Sequence, residues 1–205
     1  MGREELEALV RAALEEAGNR GVDQAEVAAS CDTGLAATAR LGDVENLEYT
    51  NDRGVWITVY KDSRKGSAST SDTRPESIRE AVAKACTFAD CTAQDEYAGL
   101  ADAELMCTEI RDLDLDHPWE IEAADAIDMA IACEAAGLAV DDRINNSEGA
   151  TVSTNRGVRA YGNSHGFVGS YAKSSHSISC VVLASDNGEM QRDYYYSAAR
   201  DAAVG

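Results

Sequence analysis

Residues 162–166 read Gly-Asn-Ser-His-Gly, a match to G-x-S-x-G, the pattern that presents a nucleophilic serine on a sharp strand-to-helix turn. Ser164 would be the nucleophile and His165 its neighbour. The context argues otherwise. The stretch that follows, FVGSYAKSSHSISCVV, carries glycine and clustered serine where a helix needs helix formers. The order of partners fails too: an acid and then a histidine should follow the serine, but the later histidine, His176, precedes Asp186 and Asp193. Val158 and Ala160 before the segment, and Phe167, Gly169 and Tyr171 after it, alternate as two strands do. Asn163–Gly166 is therefore expected to be a hairpin connection, with Asn favoured at its first position and Gly at its fourth.

Asp112, Asp114 and Asp116 begin like a calcium loop, D-x-D-x-D. An EF-hand counted from Asp112 needs Gly at position 117 and Glu at 123, where this chain has His117 and Ala123. Leu113 and Leu115 alternate with the aspartates, so the segment reads as an extended approach to a helix. Cys86 and Cys91, five apart on a predicted helix, point about 140° apart and do not share a metal from one face. His117, His165 and His176 show no i, i+4 spacing. KGSAST at 65–70 lacks the phosphate-loop pattern and sits between strands, not before a helix. No residue is assigned a catalytic, cofactor-binding or metal-binding role from these motifs.

The elements that would position these residues follow from periodicity. Arg3–Ala17 is amphipathic, with Leu6, Leu9, Val10, Ala13, Leu14 and Ala17 on one face. From Gln24 to Val59 short alternations suggest successive strands, AEVAASCD, GLAATARLG, VENLEYTN and GVWITVYKD, with turns at Thr33-Gly34, Leu41-Gly42 and Asp52-Arg53-Gly54. Val55, Ile57 and Val59 share one face there, Trp56, Thr58 and Tyr60 the other. Asp62–Gly66 is expected to turn the chain into a polar partner strand, SASTS. A second helix is predicted over 75–90, opened by Pro75, with Ile78, Val82, Ala85 and Ala89 at helical spacing. Residues 93–118 are irregular and acidic. A third helix, about 121–140, presents Ile127, Ala130, Ile131, Ala135 and Leu138. Strand patterning then returns in EGATVSTN, GVRAYGN, GFVGSYAKSSHSISCVVLAS and GEMQRDYYYS. Runs of strands separated by helices predict an α+β fold, mostly antiparallel sheet with about three helices.

Composition narrows the partners. The chain has 205 residues and a formal net charge of −19, which disfavours nucleic acid and anionic membranes without a basic patch. The densest cationic group is only Arg64 and Lys65 beside Lys61. The N-terminus carries no apolar signal-peptide run, and Cys180–Ala184, the longest uncharged apolar stretch, is far shorter than the roughly 20 residues of a membrane span. The six cysteines form no C-x-x-C pair and are expected to be reduced thiols, several buried, in a cytoplasmic protein.

Three segments carry a likeness: GDVENLEYTNDRGVWITVYKDSRKGSASTSD, DLDLDHPWEIEAADAIDMA, and RINNSEGATVSTNRGVRAYGNSHGFVGSYAKSSHSISC followed by NGEMQRDYYYS. In order and over nearly the whole chain, they resemble the N-terminal half of the TldD/PmbA family, the family also known as modulator of DNA gyrase. His117-Pro118 and the Asn163–Gly166 turn resemble its PmbA branch, also called TldE. The resemblance implies that residues 1–205 form the family's N-terminal domain, with its C-terminal domain outside this chain. It implies a cytoplasmic zinc metalloprotease complex that processes peptides and degrades unfolded polypeptides. The zinc motif, H-E-x-x-x-H, belongs to the TldD-type subunit, and the PmbA type is its non-catalytic partner. No cofactor is then expected in this chain, and zinc is expected in the TldD-like subunit. Two other readings stand beside this one: the N-terminal part of a catalytic TldD-type subunit, and an independent peptide-binding module that uses an exposed sheet edge.

Overall fold

The computed structural model describes residues 1–204. Helix α1 (Arg3–Asn19) leads into strands β1 (Gln24–Arg40), β2 (Asp43–Lys61) and β3 (Arg64–Thr70), then helix α2 (Pro75–Cys91). A long connection, containing one short 3₁₀ turn at Ala103–Leu105, precedes α3 (Ala123–Leu138) and strands β4 (Ile144–Asn163), β5 (Val168–Asp186) and β6 (Glu189–Ala199). The strands form one six-stranded sheet in the order β3-β2-β1-β4-β5-β6. The α+β class and the three helices match the sequence expectation.

The strands are longer than their patterning suggests. Turns expected at Thr33-Gly34 and Asp52-Arg53-Gly54 do not form, and β1 and β2 run straight through them. These glycines serve close approach, not reversal. A Cβ on Gly34 would strike the Asn155 side chain and the Thr154 carbonyl, and one on Gly54 would strike the Trp56 ring that lies over it. EGATVSTN and GVRAYGN likewise merge into β4, where a Cβ on Gly157 would meet the Asp32 carboxylate. Three of the reversals between paired strands are two residues long with positive φ: Leu41-Gly42 (52° and 82°), Asp62-Ser63 (50° and 55°) and Asn187-Gly188 (50° and 84°). That geometry matches the right-handed twist of paired strands. The turn expected over residues 62–66 is thus only Asp62-Ser63, and Arg64–Gly66 already belong to β3.

The chain divides into two compact units. The first comprises residues 1–32, 52–113 and 157–172. Its core sets Leu6, Val10, Ala13 and Ala17 of α1 and Ile78, Val82, Ala85 and Ala89 of α2 against Ala25, Val27, Val55, Ile57 and Val59 of the strands. The apolar stripes read from the sequence are the buried faces of both helices. On the opposite side of these strands, Tyr60 and Tyr161 each donate a hydroxyl hydrogen bond to Glu26, at 3.1 and 3.0 Å.

The second unit comprises residues 33–51, 114–156 and 173–205 as divided, with Gly205 beyond the described residues. Its core is smaller: Leu35, Ala37, Ala39 and Val152 from strands, Ala126 and Ala130 from α3. The face of α3 follows the expected one at Ile127, Ala130 and Ile131 and departs from it at its C-terminal end. Ala135 is exposed, and the fully covered positions are Ala126, Ala130 and Glu134. A carboxylate enters the interior because it has hydrogen-bond work there, described below. Among the described residues, no helix is long and apolar enough to cross a membrane.

Candidate functional site

Gly162 and Asn163 end β4, residues 164–167 connect it to β5, and the chemistry of the segment is that of a turn. Asn163 N–H donates to the Phe167 carbonyl at 3.0 Å, and Gly166 N–H to the Asn163 carbonyl at 3.1 Å. Ser164 is tied to the start of β1: its N–H donates to the Ala25 carbonyl at 2.9 Å, and its Oγ accepts the Ala25 N–H at 3.1 Å. His165 turns its ring away, with Nε2 3.1 Å from the Ala101 carbonyl. A nucleophile needs a base on its hydroxyl, and this histidine is not on it. Gly162 serves helix packing: a Cβ there would lie 2.7 Å from Val10 Cγ1 and 3.1 Å from Leu14 Cδ1.

Residues 114–119 are bound into the second unit instead of gathering a cation. Asp116 takes a bidentate pair from Arg156 at 2.8 and 2.6 Å, which holds its carboxyl below the usual range, while Asp114 faces His117 at 3.2 Å. His117 N–H donates to Ser174 Oγ at 2.8 Å, and that hydroxyl donates to the Arg200 carbonyl at 2.7 Å. Buried His176 uses both ring nitrogens: Nε2 donates to the His117 carbonyl at 2.9 Å, so Nδ1 accepts from Thr154 Oγ1 at 2.8 Å. The Trp119 ring meets it edge-on at 5.6 Å. Among the described residues, no three His, Cys, Asp or Glu side chains are grouped to hold a metal. The donor set does not fit zinc.

Several other reactive side chains are similarly committed. Burial, then Glu26, pushes the Tyr60 phenol up to about 12, and burial raises Tyr161, so both remain hydrogen-bond donors. Burial also raises the Cys86 and Cys180 thiols, the direction that suppresses thiolate chemistry. Cys31 is buried, Cys133 is half-buried, and Cys91 and Cys107 are exposed. In KGSAST, Ser67 Oγ bonds Thr58 Oγ1 at 3.0 Å across the β2–β3 pair. An open cleft of about 580 Å³ beside the β5–β6 turn is lined by Val140, Arg143, Ile144, Ala184 and Gln191. Arg143 is already paired there with Asp141 at 2.8 Å, and the other charged side chains lining it, Asp186 and Glu189, are both acidic.

Glu134 is the buried polar residue that sequence reasoning missed. It is 1% exposed, accepts the N–H groups of Leu41 and Gly42 at 2.9 and 3.0 Å, and accepts the Ser147 hydroxyl. Burial pushes its carboxyl up, but the Ser147 hydroxyl, the two amides and the nearby Arg40 outweigh that and hold it below the ordinary range. One carboxylate thereby fixes the β1–β2 turn to α3 and β4. A glutamate in an acidic helix gives no sequence signal for such a role.

The backbone at the sheet edges is a further surface on which another molecule could be held. Sheets bind extended chains at edges, and proteins guard edges with charge, shortness or cover. β3 is seven residues long, carries Arg64 and Lys65, and lies under α2, whose Ala85 carbonyl would block a Cβ on Gly66. In the second unit, β2 over 43–51 has no β3 beside it, because β3 pairs only with Val55–Lys61. That stretch is guarded by Asp43, Glu45 and Glu48. β6 is the last strand of the sheet and eleven residues long, with an unbroken register from His176↔Ala199 to Asp186↔Glu189. Beyond Asp193 it has no charge, proline or bulge, and Tyr194, Tyr195 and Tyr196 are 59, 82 and 59% exposed.

Comparison with known proteins is consistent along nearly all of the chain. The family model for PmbA/TldA metallopeptidase domain 1 matches residues 25–89, and that for the PmbA/TldA metallopeptidase central domain matches residues 116–204. Metalloprotease PmbA of Escherichia coli O157:H7 is 44% identical over 198 residues, and the Metalloprotease PmbA homolog of Haemophilus influenzae is 41% identical over 198. Each alignment covers 97% of this chain, which spans 44% of the length of either relative. A crystal structure described as a modulator of DNA gyrase from Bacteroides thetaiotaomicron has a TM-score of 0.87 at 22% identity, covering 96% of this chain and 45% of that one. TldE from Thermococcus kodakarensis has a TM-score of 0.75 at 17% identity, covering 96% and 43%. At those identities the structures establish the fold.

Proposed function

The chain belongs to the PmbA/TldD metallopeptidase family, and from that membership we propose that it is the N-terminal part of a PmbA-type, non-catalytic subunit of a cytoplasmic zinc metalloprotease complex. The observation that carries the reading is the 44% identity to a metalloprotease PmbA over 97% of this chain. The full-length protein works with a TldD-like subunit that holds the zinc and cleaves peptides and unfolded polypeptides. When bound there, the metal would activate the water that attacks the scissile carbonyl. No step is assigned to zinc on this chain, because its three histidines and Asp116 are engaged in structural hydrogen bonds and an ion pair. Its part is to hold chain segments through backbone, a task suited to a peptidase with varied substrates.

The test is peptide cleavage by the full-length protein and a TldD-like subunit, each alone and then mixed, with zinc present. Cleavage is expected only in the mixture, and residues 1–205 are expected not to replace the full-length protein in it. Robust cleavage by the full-length protein without a partner would overturn the assignment and favour a catalytic, TldD-type subunit.

A further inference from the structure

We propose that the outer edge of β6, centred on Tyr194–Ala198, is a strand-acceptor site for an extended polypeptide segment without net negative charge. The proposal rests on the peptidase reading and supplies the place where this chain would hold such a segment.

The backbone phase comes from Tyr194. Its N–H donates to the carboxylate of the preceding Asp193 at 2.8 Å, not to β5. In an antiparallel ladder the outward groups recur at every second residue, so Tyr194, Tyr196 and Ala198 direct N–H and C=O away from β5. An incoming strand would replace the local Asp193 bond with a carbonyl and pair with the rest.

The side chains suit the same visitor. Tyr194 and Tyr196 stand beside Val181 and Ser179 on one face of the sheet, and Tyr195 stands beside Cys180 on the other. A strand added here is flanked by phenol rings on both of its faces. Cross-strand aromatic and β-branched pairs are favourable, and the phenol hydroxyls reach water at the rim.

Charge selects the occupant. Within the second unit the other long edge, β2 over 43–51, carries three carboxylates, whereas β6 beyond Asp193 carries none. One edge is closed to strand addition by charge and the other is left open. A second copy of this chain is disfavoured, because two chains of net charge −19 repel each other. A neutral peptide escapes that repulsion, and a cationic one is attracted by the chain's negative field, an attraction that weakens with salt.

The experiment titrates a fluorescein-labelled peptide as long as β6, of alternating Thr and Val with a lysine at each end, with the chain. Anisotropy reports binding, and hydrogen exchange on the same mixture reports its place. Saturable binding and slowed exchange at Tyr194, Tyr196 and Ala198 are expected. Tyr196→Pro removes one outward N–H and leaves the β5 ladder intact, so affinity should fall by about tenfold or more while the melting curve holds. Should that variant fail to fold, the unaltered chain gives the answer with a peptide N-methylated at alternate residues, which should not bind. Equal binding by a folded Tyr196→Pro variant, or protection located in β2 or β3, would overturn the proposal. So would sedimentation showing that β6 pairs with a second copy. If full-length protein carrying Tyr196→Pro still supports full peptide cleavage by the mixture, the edge proposal fails and the subunit reading stands. If the mixture never cleaves yet β6 binds the peptide, the subunit reading alone fails.

Discussion

The largest fully buried side chains of the first unit include Leu6, Val10, Val27, Val55, Ile57, Val59 and Val82, whereas those of the second are Glu134, Val152, Ser147 and Ser174. The first unit is held by branched aliphatic groups from two helices packed on strands. The second has one helix over alanines and relies on hydrogen-bonded polar groups, Glu134 with Ser147 and His176 with Thr154. Apolar burial is non-directional and barely responds to pH, while a buried carboxylate depends on its charge and its donors. The two units therefore differ in what should break them. The apolar unit fails by steric misfit, the polar one by loss of a donor, an acceptor or a charge.

The largest expected effect is in the first unit, at Gly66. Its missing Cβ lets β3 lie against the backbone of α2, where the Ala85 carbonyl and the Ala89 N–H occupy the space a methyl group would need. Neither atom can rotate aside, so the helix itself would have to lift. Gly66→Ala should cost about 3 kcal/mol, the upper part of the range for overpacking, and urea unfolding should show it with little change between pH 5 and pH 8. A loss below about 1 kcal/mol would mean that α2 yields easily and that the first unit is not the tightly packed one.

Next comes Glu134. Glu134→Ala leaves the Leu41 and Gly42 amides and the Ser147 hydroxyl without their buried acceptor. The expected cost is about 2 kcal/mol. The carboxyl is held below its ordinary range in the folded chain, so the unfolded chain takes up the proton at higher pH. Its contribution is fully present above the ordinary glutamate range of the unfolded chain and is lost as pH falls through the lower, folded value. Glu134→Gln should flatten that acid limb of a stability–pH profile. An unchanged acid limb would place the pH dependence of the second unit elsewhere.

The same contrast explains which parts of the fold could be read in advance. Amphipathic stripes identify α1 and α2 because apolar packing leaves a 3.6-residue signature, and Leu6, Val10, Ile78 and Val82 are where that signature puts them. Polar packing leaves none. Glu134 looks like solvent-facing charge in DAIDMAIACEAAG, and its partners Leu41, Gly42 and Ser147 are distant in sequence. Glycines mislead for a related reason. A glycine chosen for a close neighbour and one chosen for a turn are the same letter, so Gly34 and Gly54 resemble Gly42 until the adjacent strand or ring is known. The Asn163–Gly166 turn was legible because its purpose is local. The open edge of β6 was visible only as an uncharged YYYSAA, since strand order alone decides which strand ends the sheet.

The smallest expected effect is the counterpart of Gly66 in the second unit, Gly137 near the end of α3. A Cβ there would lie 3.2 Å from Val182 Cγ1 and 3.3 Å from Cys180 Sγ. Both obstacles are side-chain atoms of half-buried residues on β5, and either can give by a few tenths of an ångström. Against that squeeze stands helix propensity, which favours Ala over Gly by about 1 kcal/mol inside a helix and by less here, one residue before the last residue of α3. The two terms nearly cancel, so Gly137→Ala should change stability by no more than about 0.5 kcal/mol in either direction. Paired urea titrations of Gly66→Ala and Gly137→Ala then measure the comparison directly, because the same methyl group is added in each unit where a helix meets a strand. If Gly137→Ala proves as costly as Gly66→Ala, the second unit is packed as rigidly as the first, and its polar groups add to tight packing instead of standing in for it.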